Sequence, residues 1–184
     1  MQVIRTAIEG VLVIEPKVFG DARGFFFESF NQQVFAAAVG HAVDFVQDNH
    51  SRSARGVLRG LHWQQPPHAQ GKLVRVSHGA VFDVAVDLRP DSATLGRWVG
   101  IELSGDNHRQ VWIAPGLAHG FLVLSDVADF LYKTTAYYAP AAERTLRWDD
   151  PDLAIAWPDV GTAPVVSAKD AAGVSLATLL GSGR

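Results

Sequence analysis

The sequence predicts an all-β fold, an antiparallel jelly roll or barrel with a few short helices. Three observations lead there. Short runs rich in β-branched, aromatic or alternating residues follow one another along nearly the whole chain, Gly and Pro separate many of them, and helical patterns are too few to alternate with strands as a parallel sheet requires. The first run is 11–15, VLVIE. The next, 25–30, sets Phe25, Phe26 and Phe27 beside Glu28. A run this apolar is ill suited to a solvent-exposed edge and is expected to cross into a partner subunit. Asn31 then offers the N-cap of a helix over 32–39 that stops at Gly40. Further strands are expected at 57–63, 73–76, 81–88, 98–103, 110–114, 120–124 and 130–135. The stretch 81–88 alternates most cleanly, with Phe82, Val84, Val86 and Leu88 on one face and Asp83 and Asp87 on the other, the pattern of a half-buried strand. A last helix is expected over 175–180. No internal repeat, low-complexity tract or linker breaks the series, and 184 residues with 48% hydrophobic content suit a single core, hence one domain over 1–184.

Composition then removes whole classes of function. The formal charge of −3, from 16 basic and 19 acidic residues, gives no basic excess of the kind that drives nucleic-acid binding by counterion release. Zero cysteines remove disulfides, thiolate metal ligands and a cysteine nucleophile together, leaving seven histidines and the carboxylates to carry chemistry. Arg5, Glu9 and Glu15 interrupt the N-terminal stretch, and no segment is long and apolar enough to span a membrane as a helix, so a cytoplasmic protein is expected. GxGxxG, GxxxxGK[ST] and GxSxG are all missing. The loops that cradle dinucleotides or nucleoside triphosphates are thus absent, which disfavours chemistry through bound NAD, and covalent acyl transfer has little support.

Polar residues crowd among apolar strands between Gln47 and His119. Ionisable groups in such surroundings cost free energy unless paired, so their clustering points to a site. The segments Gly56-Val-Leu-Arg-Gly-Leu-His62-Trp-Gln64, Gln70-Gly-Lys72-Leu-Val-Arg-Val and Pro115-Gly-Leu-Ala-His119-Gly-Phe resemble the cupin superfamily of jelly-roll barrels. Metal-binding cupins carry two histidines two apart, a glutamate seven residues before a glycine, and a later histidine. Here His62 and His119 match the first and last, but Gln64 takes the second histidine position and Lys72 stands seven before Gly79. An ammonium at that point repels a divalent cation yet can stabilise a developing enolate oxygen, so no metal is expected.

The likeness narrows further. Gly24-Phe-Phe-Phe-Glu28, Gln47-Asp-Asn49-His-Ser51, Val57-Leu-Arg-Gly-Leu-His62, Gln70-Gly-Lys72-Leu-Val-Arg, Asp83-Val-Ala-Val-Asp87, Ala118-His-Gly-Phe121, Tyr132-Lys-Thr-Thr-Ala-Tyr-Tyr138, Trp148-Asp-Asp-Pro151 and Ser167-Ala-Lys-Asp170 resemble, in order and over nearly the whole chain, the dTDP-4-dehydrorhamnose 3,5-epimerase family. That resemblance implies a cupin-type jelly-roll barrel, a homodimer, and a cofactor-free isomerase that converts dTDP-4-dehydro-6-deoxy-D-glucose to dTDP-4-dehydro-L-rhamnose in dTDP-L-rhamnose biosynthesis. It also implies that Asp170 pairs with His62, that Arg23 and Arg59 hold the diphosphate, and that Glu28, Gln47, Asn49, Glu143 and Lys169 contact nucleotide or sugar. His119 is implied as a substrate contact.

The reaction asks for the residue types present. Hydrogens on carbons 3 and 5 flank the carbon-4 ketone; removing either gives an enolate, and reprotonation from the opposite face inverts the centre. His62 is the candidate base, because an imidazole with its ordinary pKa of about 6.5 is partly neutral near pH 7. Tyr132 is the candidate acid, a phenol of pKa about 10 that keeps its proton until a basic carbon arrives. Lys72 would balance charge on the oxyanion. Each has a structural rival: a scaffold histidine, a packed barrel tyrosine, Asp170 as a turn cap, His119 as a core histidine, Arg23 as a solvated turn residue, Phe19 and Phe26 as core or base-packing rings. Lys133 is expected on the far side of its strand. In a regular strand Arg59 and His62 face opposite sides, so their joint use requires a bulge, expected at Gly60. Three alternatives remain at this stage: a single-centre or antibiotic-deoxysugar epimerase, a metal-dependent cupin, and a non-catalytic sugar-nucleotide binding module.

Overall fold

The computed structural model describes residues 1–181. Its strands are β1 (Gln2–Arg5), β2 (Val11–Glu15), β3 (Phe19–Asp21), β4 (Gly24–Phe26), β5 (Gln47–Ala54), β6 (Leu58–Gln64), β7 (Lys72–His78), β8 (Ala80–Asp87), β9 (Trp98–Ser104), β10 (Gln110–Ile113), β11 (Leu117–Val123), β12 (Val127–Thr134) and β13 (Glu143–Thr145). Helices α1 (Gln32–Val39), α2 (Ala168–Ala171) and α3 (Leu176–Gly181) are short. One sheet runs β1-β2-β10-β7-β12-β5, the other β13-β6-β11-β8-β9, and β3 and β4 form a separate ribbon. Val13, Val74, Val111 and Phe130 from the first sheet and Val81, Leu103, Phe121 and Val123 from the second pack into one apolar cluster. Two facing antiparallel sheets closed on such a core make the expected jelly roll.

The outer face of each sheet is covered as well. Phe35 of α1 packs on Leu12, Ile14, Leu73 and Trp112, and the helix begins where Asn31 Oδ1 accepts hydrogen bonds from the Gln33 and Val34 amides at 3.0 and 3.2 Å. On the other sheet Leu146, Leu153 and Leu176 from the C-terminal third cover Leu61, Trp63, Val84 and Val86. This corrects the reading of 81–88 as half-buried: Val84 and Val86 are fully buried, and so are Asp83 and Asp87 on the opposite face. The two aspartates tolerate burial because each is bonded, Asp83 to His119 and Asp87 to Arg89, Ser92 and Thr94.

The stretch 25–30 needs a second correction. Its strand ends at Phe26 and pairs with Phe19–Asp21, after which the chain turns away toward the Asn31 cap. Phe25 rests against Phe27 and His108, yet Phe25 and Phe26 remain 63% and 69% exposed, so much of the ribbon's apolar surface is uncovered within one copy of the chain. Gln2–Arg5, Gln47–Ala54 and Glu143–Thr145 are strands without the expected apolar signature.

Candidate active site

The two sheets open onto one cavity of about 710 Å³. Gln47 and Asn49 of β5, Arg59 and His62 of β6, Lys72 of β7, His119 of β11, Tyr132 of β12, Glu143 of β13, and Lys169 and Asp170 of α2 all line it. Arg59 reaches the same face as His62 because two residues of β6, Gly60 and Leu61, oppose the single Gly120 of β11: His62 pairs with His119, and Arg59 with Phe121. The bulge sits where Gly60 was expected to place it. Gly60 has φ +130, and a Cβ there would fall 2.5 Å from the Gly120 Cα, so the two strands cross on paired glycines.

Asp170, far along the chain from His62, meets it at 2.5 Å between Asp170 Oδ1 and His62 Nε2. Backbone bonds from Leu58 to Val165 and from Val165 to Gly56, at 2.9 and 2.8 Å, lay the C-terminal segment beside β6. Ser167 Oγ then accepts from the Asp170 amide at 3.1 Å and caps α2. Burial opposes ionisation of Asp170, but bonding to His62 and Ser167 with the nearby Lys169 holds its carboxyl below the ordinary carboxylate range. An aspartate so placed holds the His62 ring in orientation through this hydrogen bond.

Lys72 Nζ donates to the His62 carbonyl at 3.3 Å. Burial pushes its pKa down to about 8, against the attraction of Asp83 and Glu143. Tyr132 is half-buried, and that burial, reinforced by Glu143, raises its phenol above the ordinary value, so it keeps its proton at neutral pH. His119 is buried against Asp83 at 2.7 Å, and burial pushes its pKa down in spite of that partner. Glu143 accepts from Tyr138 Oη at 2.9 Å and from Lys169 Nζ at 3.0 Å.

Gln64 lines the cavity with both of its amide groups bonded to the backbone. Its Nε2 donates to the His68 and Tyr137 carbonyls at 2.7 and 3.2 Å, and its Oε1 accepts from the Ala139 amide at 2.8 Å. Among the described residues no three His, Cys, Asp or Glu side chains gather where they could hold a metal ion. With an ammonium at Lys72 and, at Gln64, an amide bonded to three backbone groups, the donor set does not fit the metal of metal-binding cupins.

Two candidates lie elsewhere. Arg23 does not line the cavity: its side chain is 89% exposed and paired with Asp21. Glu28 borders a second cavity of about 300 Å³ together with Phe19, Phe26 and Phe35. Lys133 points away from the site, as expected, and pairs with Asp48. Sequence reasoning missed Ser51, Tyr138 and Ser167 as lining residues. Ser167 carried a signal, the S-x-x-D spacing of a helix start; Ser51 carried none beyond its place in a polar strand.

The model of the family described as dTDP-4-dehydrorhamnose 3,5-epimerase matches residues 5–178. A Pseudomonas aeruginosa protein of that name is 60% identical over 177 residues, which is 96% of this chain and 97% of the relative. The crystal structure of a Legionella pneumophila dTDP-6-deoxy-D-glucose-3,5-epimerase in complex with dTDP-4-keto-L-rhamnose superposes with a TM-score of 0.92 at 53% identity, covering 97% of this chain and 94% of that one. A 3'-monoepimerase from Streptomyces bikiniensis in complex with dTDP-quinovose also gives 0.92, at 38% identity over 97% and 89% of the two chains. With the family's motifs gathered around one cavity and the match running almost end to end, this chain belongs to the dTDP-4-dehydrorhamnose 3,5-epimerase family.

Proposed function

We propose that the protein epimerises dTDP-4-dehydro-6-deoxy-D-glucose at carbons 3 and 5 to dTDP-4-dehydro-L-rhamnose, as a cofactor-free isomerase of dTDP-L-rhamnose biosynthesis. The observation that carries this reading is the His62–Asp170 pair facing the same cavity as Lys72 and a phenol that holds its proton, Tyr132. Neutral His62 takes the proton from carbon 5 or carbon 3, and the electron pair passes into the carbonyl to give an enolate at oxygen 4. The imidazolium shares its charge with Asp170, and the Lys72 ammonium compensates the oxyanion. Tyr132 then delivers its proton to the opposite face of the carbon, and the phenolate and imidazolium exchange protons with solvent before the next cycle. One substrate hydrogen is lost and one solvent hydrogen gained at each centre, with no net redox change.

Arg59, Gln47, Asn49, Glu143, Lys169 and His119 are proposed to hold the substrate. Arg23 and Glu28 are proposed to do so from a second copy, since neither lines the cavity of its own chain. The exposed ribbon carrying Phe25 and Phe26 is the part of the fold that such a homodimer would cover. A cytoplasmic enzyme whose single catalytic domain spans the chain completes the reading.

Proton NMR with dTDP-4-dehydro-6-deoxy-D-glucose in deuterated water tests it. Deuterium enters carbons 3 and 5 with inversion at both, before and after exhaustive chelation. The similarity to a 3'-monoepimerase favours a second reading, inversion at carbon 3 alone, and the same spectra distinguish the two.

A further inference from the structure

The turn between β9 and β10 holds one side chain in an unusual pose. His108 sits at φ +54, in the left-handed region, where a non-glycine residue is uncommon and persists when its surroundings over-determine it. Here the surroundings are hydrogen bonds. Asn107 Oδ1 accepts from the Ser104 and Arg109 amides at 3.1 and 2.9 Å, and the Asn107 amide donates to Ser104 Oγ at 3.0 Å. Asn107 Nδ2 donates to the Glu102 carbonyl at 3.0 Å, and the His108 amide closes the turn on the Ser104 carbonyl at 3.2 Å. So wired, the turn sets the His108 ring against the β3–β4 ribbon. Its centroid lies 4.7 Å from that of Phe25 and 5.0 Å from that of Phe27, and the two phenylalanine rings stack on each other at 5.9 Å.

The ribbon needs a hold of this kind. Its strands, Phe19–Asp21 and Gly24–Phe26, have three residues each, and a two-stranded hairpin is marginal in water by itself. His108 takes the Phe25 and Phe27 face, while Phe26 and its cross-strand partner Phe19 border the second cavity. Arg23 stands in the turn at the ribbon's tip, its guanidinium paired with Asp21. A guanidinium fork meets an anion best where it is already in place, and ordering a loose ribbon at the moment of binding subtracts from affinity. We propose that His108 is a positioning residue: held in its turn, the ring clamps the ribbon through Phe25 and Phe27 and so fixes where Arg23 meets the diphosphate in a second copy. His108 itself does not line the site cavity. The inference rests on the reading that Arg23 serves a partner's cavity.

Calorimetric binding of dTDP to wild-type protein, His108→Asn, Arg23→Ala and the double variant, with steady-state kinetics and sedimentation of each, tests it. Asparagine tolerates the left-handed backbone and lacks the ring, so His108→Asn removes the clamp and spares the turn. This variant is expected to bind dTDP about three- to tenfold more weakly and to raise KM in parallel, with kcat within twofold of wild type and the assembly unchanged. In the Arg23→Ala background His108→Asn has no further effect, because the group it positions is gone. A purely structural contact would weaken both backgrounds alike, and that result overturns the proposal. Wild-type affinity in His108→Asn also overturns it, as do a loss confined to kcat and dissociation of the variant under conditions where the wild type stays assembled. Wild-type affinity in Arg23→Ala sinks the assignment of Arg23 to the diphosphate; a weakened Arg23→Ala beside an unaltered His108→Asn sinks the clamp alone.

Discussion

Lys72 is 8% exposed and among the described residues makes one hydrogen bond, to the His62 carbonyl, so its ammonium weakens the fold at the point where an enolate would need it. Its pKa falls from 10.5 in the unfolded chain to about 8 in the folded one. Below about pH 8 both states carry the charge and the penalty is complete; between 8 and 10.5 only the unfolded chain stays protonated, so stability rises with pH across that window. Lys72→Met is therefore expected to raise stability at pH 7, by at most about 3 kcal/mol, while lowering kcat about a hundredfold or more. Denaturant unfolding and steady-state kinetics on one preparation check both. An active Lys72→Met enzyme would remove the lysine from the mechanism. His62 and Tyr132 separate through solvent exchange. His62→Ala loses inversion and deuterium uptake together, because no enolate forms, a deficit of roughly 10²- to 10⁴-fold. Tyr132→Phe keeps the base, so deuterium enters with retained configuration faster than inversion occurs. Wild-type inversion by Tyr132→Phe, or wild-type exchange by His62→Ala, would refute the assignments.

The crossing of β6 and β11 converts a local backbone choice into site geometry. A Cβ at residue 60 would lie 2.5 Å from the Gly120 Cα and 2.9 Å from the His119 carbonyl, at a φ of +130. Gly60→Ala is expected to destabilise by on the order of 3 kcal/mol or more. The remaining folded protein should also lose activity, because Arg59 and His62 share a face only through the bulge. Gly161→Ala is the control: its φ of +79 carries the backbone penalty, but nothing lies within 4 Å of the new methyl, so about 1 kcal/mol and no loss of turnover are expected. Equal effects at the two sites would show that crowding at the crossing is unimportant. Elements whose signals are local were legible in the sequence: 11–15 is apolar throughout, and 32–39 carries its own cap and stop. The strand 47–54 was not, because it faces a cavity on one side and solvent on the other and needs no apolar residue for either. The Gly60 bulge could be expected because two residues needed one face. The approach of Asp170 to His62 could come only from family likeness, since bonds between the 56–58 and 165 backbones, which no pattern announces, bring them together. The burial of Asp83 was missed for a related reason: its partner His119 lies on a neighbouring strand, and alternation alone reads an aspartate as solvent-facing.

At the scale of the whole molecule, a cavity that Arg23 does not line and a ribbon whose Phe25 and Phe26 rings stay largely exposed support the proposed second copy. Among the described residues Arg23 is tethered to Asp21 alone and stands out in solvent on the ribbon that also exposes Phe25 and Phe26, while the cavity lacks the second arginine that the family likeness assigns to the diphosphate. If the ribbon enters a partner's cavity, an isologous dimer exchanges two ribbons, and each active site combines His62 of one chain with Arg23 of the other. That arrangement makes a complementation experiment decisive. Arg23→Ala and His62→Ala homodimers are each expected to be nearly inactive, the first through weakened substrate binding and the second through loss of the base. Unfolding and refolding them together at equal concentration makes half of the dimers mixed, and in each of those one cavity receives both an intact base and an intact arginine. Activity should therefore recover to about a quarter of wild type. With Arg23 serving its own chain, no mixed dimer could contain an intact site, and mixing would restore nothing. Sedimentation of the wild-type enzyme as an active monomer at assay concentration would defeat the exchange altogether.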